Sequence, residues 1–337
     1  CMITASYQVT APRTVAVKFH EISARNRVWV RPTHMSICHA DQRYYQGKRP
    51  QAILEKKFPM ALIHEAVGVV VRDDSGAFQA GTPVAMIPNI PGKPIAGVYE
   101  NYAPGFTFLS SGADGFMREI VDLPARQLVQ IPQASPLTSQ TEMTSVACHA
   151  ISRWRAFADT GRTTVGIWGD GSVGYILASV LRELHPELEI IVIGVNPPKL
   201  DYFSMANATY LAGNLPENFS VDYAFECAGG EGSVSAINEI VEVIKPQGVL
   251  TLMGVTENPV GIATRTVLEK GLTLVGSSRS GRLDFEKAAS LWEKDSFCAR
   301  ISRIILEDSP VRDVDGIHRV FGNDLSSTFK TAFSWEI

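Results

Sequence analysis

The sequence predicts an α/β protein in two parts, a β-rich domain followed by a doubly wound parallel-sheet domain. Three observations predict it. At 337 residues the chain is long for one hydrophobic core. Up to about residue 145 it is rich in Pro and Gly and carries short apolar runs. Beyond that point strand-like and helix-like runs alternate, the pattern of a parallel sheet with helical crossovers.

In the first part the strand candidates are Val15–Phe19, Arg27–Arg31, Ala66–Val71, Pro83–Ile87 and Met117–Val121. Ser145–Phe157 then has helical spacing, with Val146, His149, Ile151, Trp154 and Phe157 as candidate buried positions. Thr163–Trp168 is a short apolar run, Val173–Leu184 a long helical stretch, and Glu189–Ile193 a second apolar run. The alternation continues with a strand at Tyr223–Glu226, a helix at Ser233–Ile244, and strands at Val249–Met253 and Leu272–Val275. This places the doubly wound domain at 146–281 and the β-rich domain at 1–145, with 282–337 returning to the latter.

Composition narrows the function. Hydrophobic residues make up 45%, charged residues 20%, and the net charge is −4. That is an ordinary soluble composition, without the basic bias of a nucleic-acid binder. No apolar run is long enough to span a bilayer, and the first residues lack the pattern of a signal peptide. Five scattered cysteines, Cys1, Cys38, Cys148, Cys227 and Cys298, do not form a disulfide framework. They fit a reducing, cytoplasmic setting.

Gly169-Asp170-Gly171-Ser172-Val173-Gly174 is a G-x-G-x-x-G between a predicted strand and a predicted helix, with a second strand about 20 residues on. The first glycine permits a tight turn, the second lets backbone approach a pyrophosphate, and the third packs helix on strand. Free N–H groups at the helix start, from Ser172 and Val173, face the phosphates. An NAD site usually ends its second strand with an acid that binds the ribose 2′-hydroxyl. Here Ile193-Gly194-Val195-Asn196 carries none, and Lys199 follows, which favours the 2′-phosphate of NADP.

Cys38, His64 and Glu65 form a second constellation. A thiolate, an imidazole and a carboxylate suit a tetrahedral Zn²⁺ with one open position, where it polarises a carbonyl or stabilises an alkoxide. Glu142 is a candidate fourth, exchangeable ligand, and Asp41 a candidate to orient His64 from behind. Singly, each has a plainer reading as a core cysteine or a structural hydrogen bond. Their combination upstream of a dinucleotide fold favours the metal.

Cys38, His64-Glu65 with Ala-Val-Gly after it, Glu142 and Gly169–Gly174 together resemble the zinc-containing medium-chain dehydrogenase/reductases over nearly the whole chain. That resemblance implies a GroES-like first domain, a Rossmann-like second one, and an active site in the cleft between them. The segment Thr141–Ala150 is similar to the sorbitol-dehydrogenase branch, where Glu replaces a cysteine ligand. Three longer strings look like the ribulose-5-phosphate reductases of teichoic-acid and capsule synthesis: Met35–Gly47, Gly166–Gly171 and Leu268–Gly281. They imply NADPH reduction of D-ribulose 5-phosphate to D-ribitol 5-phosphate, which a ribitol-5-phosphate cytidylyltransferase then converts to CDP-ribitol. The chain departs from wider family patterns twice. Residues 89–122 hold no cysteine, so one catalytic zinc and no structural zinc is expected. The usual Ser or Thr proton relay is Ala40, which leaves Tyr44, Glu142 or a zinc-bound water for that task.

On this reading Arg43 and Arg279 are the candidates for the sugar phosphate, each able to make a bidentate contact, with Lys48, Arg49 and Arg282 as further ones. Two rivals stand against it. One is an NAD-dependent sorbitol- or xylitol-type polyol dehydrogenase, which should carry an acid near Gly194. The other is a non-catalytic binding protein on the same fold, which should have lost Cys38 or His64. The resemblance also implies a homodimer through the edge of the nucleotide-binding sheet, and leaves tetramers or a complex with the cytidylyltransferase open.

Overall fold

The structure is a computed structural model that describes every residue except Ala24. The chain divides into two compact units, Cys1–Ser145 with Ser280–Ile337, and Val146–Arg279. The first division falls inside a helix, Thr141–Arg155.

The first unit is built on antiparallel β-structure. Its main sheet is seven-stranded, and the strand at its heart is Val28–Ser36. Glu65–Asp73 runs antiparallel along one side of it. Lys330–Trp335, from the far end of the chain, runs antiparallel along the other. Ile305–Val311 then pairs parallel with Lys330–Trp335, so the C-terminal residues complete this sheet. A separate three-stranded sheet is made by Met2–Ala11, Thr14–Ile22 and Met60–Ala61. The core between them gathers Val30, Met35, Leu62, Ala66, Phe116, Phe321 and Phe333, all essentially buried.

The second unit is a six-stranded sheet in which every pairing is parallel. Across the sheet the strands run Ala208–Leu211, Glu189–Gly194, Thr164–Trp168, Val221–Glu226, Ile244–Leu252 and Thr273–Gly276. Numbered in chain order this is 3-2-1-4-5-6, the doubly wound arrangement of dinucleotide-binding sheets. The strands are nearly continuous in apolar residues because both faces are covered. Ile190 to Ile193 and Val221 to Phe225 are accordingly buried.

Three sequence expectations change. Met117–Val121 is not a strand over most of its length. Strand structure begins at Val121, and before it Arg118 makes only an isolated bridge to Ser6. The backbone there is satisfied one group at a time, with Met117 accepting from Tyr7 N–H at 2.8 Å. Phe157 is 54% exposed, because the helix ends at Arg155 and the chain turns outward. The strands Met2–Ala11 and Ala208–Leu211 were not anticipated.

Phe333 is 1% exposed inside the first unit's core, on one of the strands supplied by the C-terminal segment. Phe333→Ala should cost about 3–5 kcal/mol through lost burial and a residual cavity. Chemical denaturation will measure it, and a cost below about 1 kcal/mol would show that this strand is not integral to the unit.

Candidate metal and dinucleotide sites

The register of three strands brings the metal-ligand candidates together. Ser36 is paired with Glu65 on one side and with Ala332 on the other. Cys38 comes two residues after Ser36, His64 one residue before Glu65, and Lys330 two residues before Ala332. All of them therefore collect at one end of the same three strands. Cys38, His64 and Glu65 each offer a ligand atom within 4.8 Å of the others.

The surroundings hold each side chain in place. Cys38 opens the helix His39–Tyr45, and its N–H donates to the Asp41 carboxylate at 3.2 Å. The other Asp41 oxygen accepts from Ile63 N–H at 3.0 Å. Asp41 also lies 3.4 Å from His64 Nδ1, and Ser110 Oγ is 3.0 Å from the same nitrogen. Nδ1 is thus engaged from behind and Nε2 is left as the free ring nitrogen. Ile63, which delivers His64, has φ 70°. A buried β-branched residue in the left-handed region is a true outlier, of the kind found where surrounding structure over-determines a site. Gly115 packs under this turn so closely that a Cβ on it would lie 2.4 Å from Ile63 O.

Glu65 is fully buried and shares its carboxylate unequally. Oε2 accepts from Lys330 Nζ at 2.6 Å, whereas Oε1 is buried with no hydrogen-bond partner. A bare carboxylate oxygen beside a thiol and an imidazole is the donor set a zinc-type cation takes. Glu142, on the first turn of Thr141–Arg155, is buried next to this group but outside the trio. Burial, together with the neighbouring Glu65 and Asp41 charges, pushes its carboxyl up to about 7, against the opposing pull of His64 and Lys330. For His64, burial alone would depress the imidazole, but the Asp41 and Cys38 charges outweigh it and hold it well above its ordinary value. Such surroundings favour positive charge at this spot.

Lys330 escaped the sequence reading. It is 2% exposed and donates to Glu65 and to the Ile37 carbonyl at 2.9 Å. The available signal was a lysine heading the otherwise apolar run Lys330–Trp335, since a buried lysine requires a partner. Ser110 gave no such signal.

In the second unit the glycine loop has the expected close contacts. Gly169 has φ 139°, and a Cβ there would meet the Cys227 backbone at 2.7 Å. A Cβ on Gly174 would lie 2.0 Å from Gly169 O. Gly171, immediately ahead of the helix Ser172–Leu184, faces open space. Ser172 and Val173 form the first turn of that helix. The loop's acid, Asp170, accepts from the N–H groups of both Val195 and Asn196 at 2.7 Å. Asn196 in turn caps the short helix Pro197–Leu200 by accepting from Lys199 N–H. No carboxylate belongs to the 193–199 segment itself.

The remaining candidates divide. Tyr44 is buried on the helix His39–Tyr45, with its hydroxyl 3.4 Å from Ser111 Oγ. Arg43, on the same helix, is half-buried and approaches the Lys48 carbonyl at 3.4 Å. Arg279 is half-buried and takes φ 61° just beyond the strand Thr273–Gly276. Arg282 spends its guanidinium on the carbonyls of Arg126 and Leu128 and on Glu286, which removes it as a phosphate candidate.

Comparison with known proteins agrees with this geometry. Residues 24–133 match the family model of the alcohol dehydrogenase GroES-like domain. The chain is 46% identical to the ribulose-5-phosphate reductase of Streptococcus pneumoniae, over 100% of this chain and 98% of that one. It is 43% identical to ribulose-5-phosphate reductase 2 of Staphylococcus aureus, over the full length of both. Among solved structures it is similar to S. aureus TarJ in complex with NADPH, with a TM-score of 0.88 and 39% identity over all of both chains.

Two predictions follow from these contacts. Gly171→Ala should leave the melting temperature within about 2 °C of wild type, because its Cβ meets nothing, while weakening dinucleotide binding at least roughly tenfold. Gly174→Ala should instead lower the melting temperature by several degrees, and equal effects of the two changes on stability would contradict the loop geometry. In chelator-treated protein, Lys330→Met should cost about 3–5 kcal/mol by stranding a buried carboxylate. Adding Glu65→Gln should recover part of that loss, and a purely additive double variant would show that the two groups are not coupled.

Proposed function

The chain belongs to the ribulose-5-phosphate reductase family of the zinc-type medium-chain dehydrogenase/reductases, and from that premise we propose that it reduces D-ribulose 5-phosphate to D-ribitol 5-phosphate with NADPH. The observation that carries this reading is the buried trio Cys38, His64 and Glu65, with one Glu65 oxygen left without a partner. In this reading the three residues hold one zinc ion, and Glu142 is a fourth ligand that exchanges with water or substrate. When bound, zinc polarises the C2 carbonyl and favours the developing alkoxide, and NADPH is the source of the hydride.

The chain's own residues prepare that chemistry. Asp41 and Ser110 fix the His64 ring so that Nε2 is the ligating nitrogen. Lys330 neutralises the Glu65 oxygen that does not face the trio. Tyr44 and Glu142 are this chain's own candidates to supply the proton that converts the C2 oxygen to a hydroxyl, a task a bound metal's water would otherwise take. Gly171, Ser172 and Val173 take the pyrophosphate at the start of a 13-residue helix. Asn196 and Lys199 lie where the adenosine ribose is bound in such sheets, and the missing acid there suits a 2′-phosphate. Arg43, through the basic turn it braces, and Arg279 are the candidates expected from the sequence for the substrate phosphate, and Arg43→Ala and Arg279→Ala should each raise KM for the phosphorylated sugar.

The wider setting belongs to the same proposal. The product would feed CDP-ribitol synthesis for teichoic acid or capsule, in the cytoplasm, with a ribitol-5-phosphate cytidylyltransferase as functional partner. Among the described residues no helix is long and apolar enough to cross a membrane. Thr273–Gly276 is an outermost strand of its sheet, an edge suited to pairing with a second copy in a homodimer.

The test is NADPH oxidation with ribulose 5-phosphate, xylulose 5-phosphate and unphosphorylated ribulose, with and without a chelator. Ribulose 5-phosphate should be preferred, and metal analysis should find about one zinc per chain. Cys38→Ser should abolish zinc retention and lower kcat/KM by roughly 10²–10³ or more. Equal turnover of ribulose, or a preference for NADH, would replace this reading with an NAD-dependent polyol dehydrogenase.

A further inference from the structure

Arg49 stands out as a cation the first unit does not use. Its guanidinium carbon sits 4.7 Å from the centroid of the Tyr44 ring. Its Nε is buried and has no hydrogen-bond partner. Among the described residues it makes no ion pair. Several other arginines of this unit are committed elsewhere, Arg27 and Arg118 to Asp122, Arg72 to Asp74, Arg312 to Glu336 and Arg282 as described. A half-buried guanidinium without an anion loses hydration and gets no charge partner in return, so it invites an external one.

Its position ties it to the metal trio. Tyr44 lies on the helix that Cys38 opens. The Tyr44 hydroxyl approaches Ser111, and the preceding residue, Ser110, bonds His64. One ring thus has Ser111, the neighbour of the His64-bonded serine, at its hydroxyl and Arg49 across its face. The turn after the helix adds charge of the same sign. Lys48 N–H donates to the Arg43 carbonyl at 2.8 Å and the Arg43 side chain turns back to Lys48 O, which keeps Arg43, Lys48 and Arg49 in one short stretch. Arg43, Lys48 and Arg49 thus set three cations over seven residues with no acid among them.

We propose that Arg49, held over the Tyr44 ring, is the principal anchor for the phosphate of the sugar-phosphate substrate. Contact with the ring restrains the guanidinium, whose two Nη groups then offer a fork to two phosphate oxygens while Nε stays buried. Lys48 adds long-range attraction at the exposed rim, and Arg43 acts mainly as a brace through the Lys48 carbonyl. This assignment rests on the proposed reduction of a phosphorylated ketose and names the residue that would select for it.

The experiment compares kcat/KM for ribulose 5-phosphate with that for ribulose in wild type, Arg49→Met and Arg49→Lys. The ratio should fall about 10²-fold in Arg49→Met, mostly through KM, and recover partly in Arg49→Lys, which keeps charge but not the fork. An unchanged ratio, or an equal loss for both sugars, overturns the proposal. A second arm measures calorimetric binding of inorganic phosphate to the holoenzyme, with NADP⁺ present to fill the nucleotide site. Binding should be weakened at least roughly tenfold in Arg49→Met, and equal binding by wild type and variant overturns the proposal. Should wild type show no preference for the phosphorylated sugar, the function proposed above fails, while the phosphate arm still decides the role of Arg49.

Discussion

The rest of the first unit depends on keeping Glu65 buried and balanced. Its side chain has no exposure, and its neighbours Asp41, Glu142 and His64 are also buried. Carboxylates in such a place are costly unless paired. Asp41 and Glu65 bring two negative charges against one positive on Lys330, and a thiolate at Cys38, the form a bound metal would select, would raise the remainder to two. A divalent cation cancels that remainder. Protons do part of the same work, which is why His64 is held protonated well above its usual range and Glu142 is pushed up to about 7. A metal ion at this trio would compete with protons for the same electrostatic vacancy, and a thiolate, an imidazole and a carboxylate are the donor set a zinc-type ion would take.

That balance is assembled by sheet register more than by local sequence. Ser36, Glu65 and Ala332 lie side by side across three strands from distant parts of the chain. The hydrogen bond from Ile37 N–H to Thr331 O at 3.1 Å carries the alignment past the last paired residues. A one-residue slip would send Glu65 to the opposite face of its strand and break the site, because side chains alternate along a strand. The left-handed backbone at Ile63 is the local cost of this arrangement, and the two Asp41 bonds, to Ile63 N–H and Cys38 N–H, hold it in place.

Much of this was legible in the sequence, for reasons that differ from residue to residue. The glycine loop could be read because its positions answer to backbone sterics at Gly169 and Gly174 and to ligand space at Gly171. Cys38 and His64-Glu65 could be read because that combination of donors is rare without a metal. The nucleotide-binding strands could be read because a sheet covered on both faces leaves continuous apolar runs. Met117 to Ile120 misled, since apolar side chains there are buried beneath a backbone that bonds to loops and to a neighbouring strand without forming one of its own. Lys330 was lost because its meaning lies in a partner 265 residues away. Arg49 looked like one more cation in a basic turn, and only the ring beneath it and its bare Nε set it apart.

The acid inside the glycine loop shows how cofactor choice can rest on what a carboxylate is already doing. Asp170 is the only acid in the Gly169–Gly174 loop, and it reaches toward the turn where an NAD-binding sheet would carry its own. Its Oδ2 is occupied by the N–H groups of Val195 and Asn196. The two elements are pressed so close that a Cβ on Gly194 would sit 2.5 Å from that oxygen. The negative charge is therefore stabilised by backbone dipoles and serves to lock the turn, instead of being presented to a ribose hydroxyl. With the turn locked, Asn196 is committed to capping Lys199 N–H, and the lysine is carried at the start of the 197–200 helix. The turn therefore offers no carboxylate of its own at 193–199, which agrees with the proposed choice of NADPH over NADH.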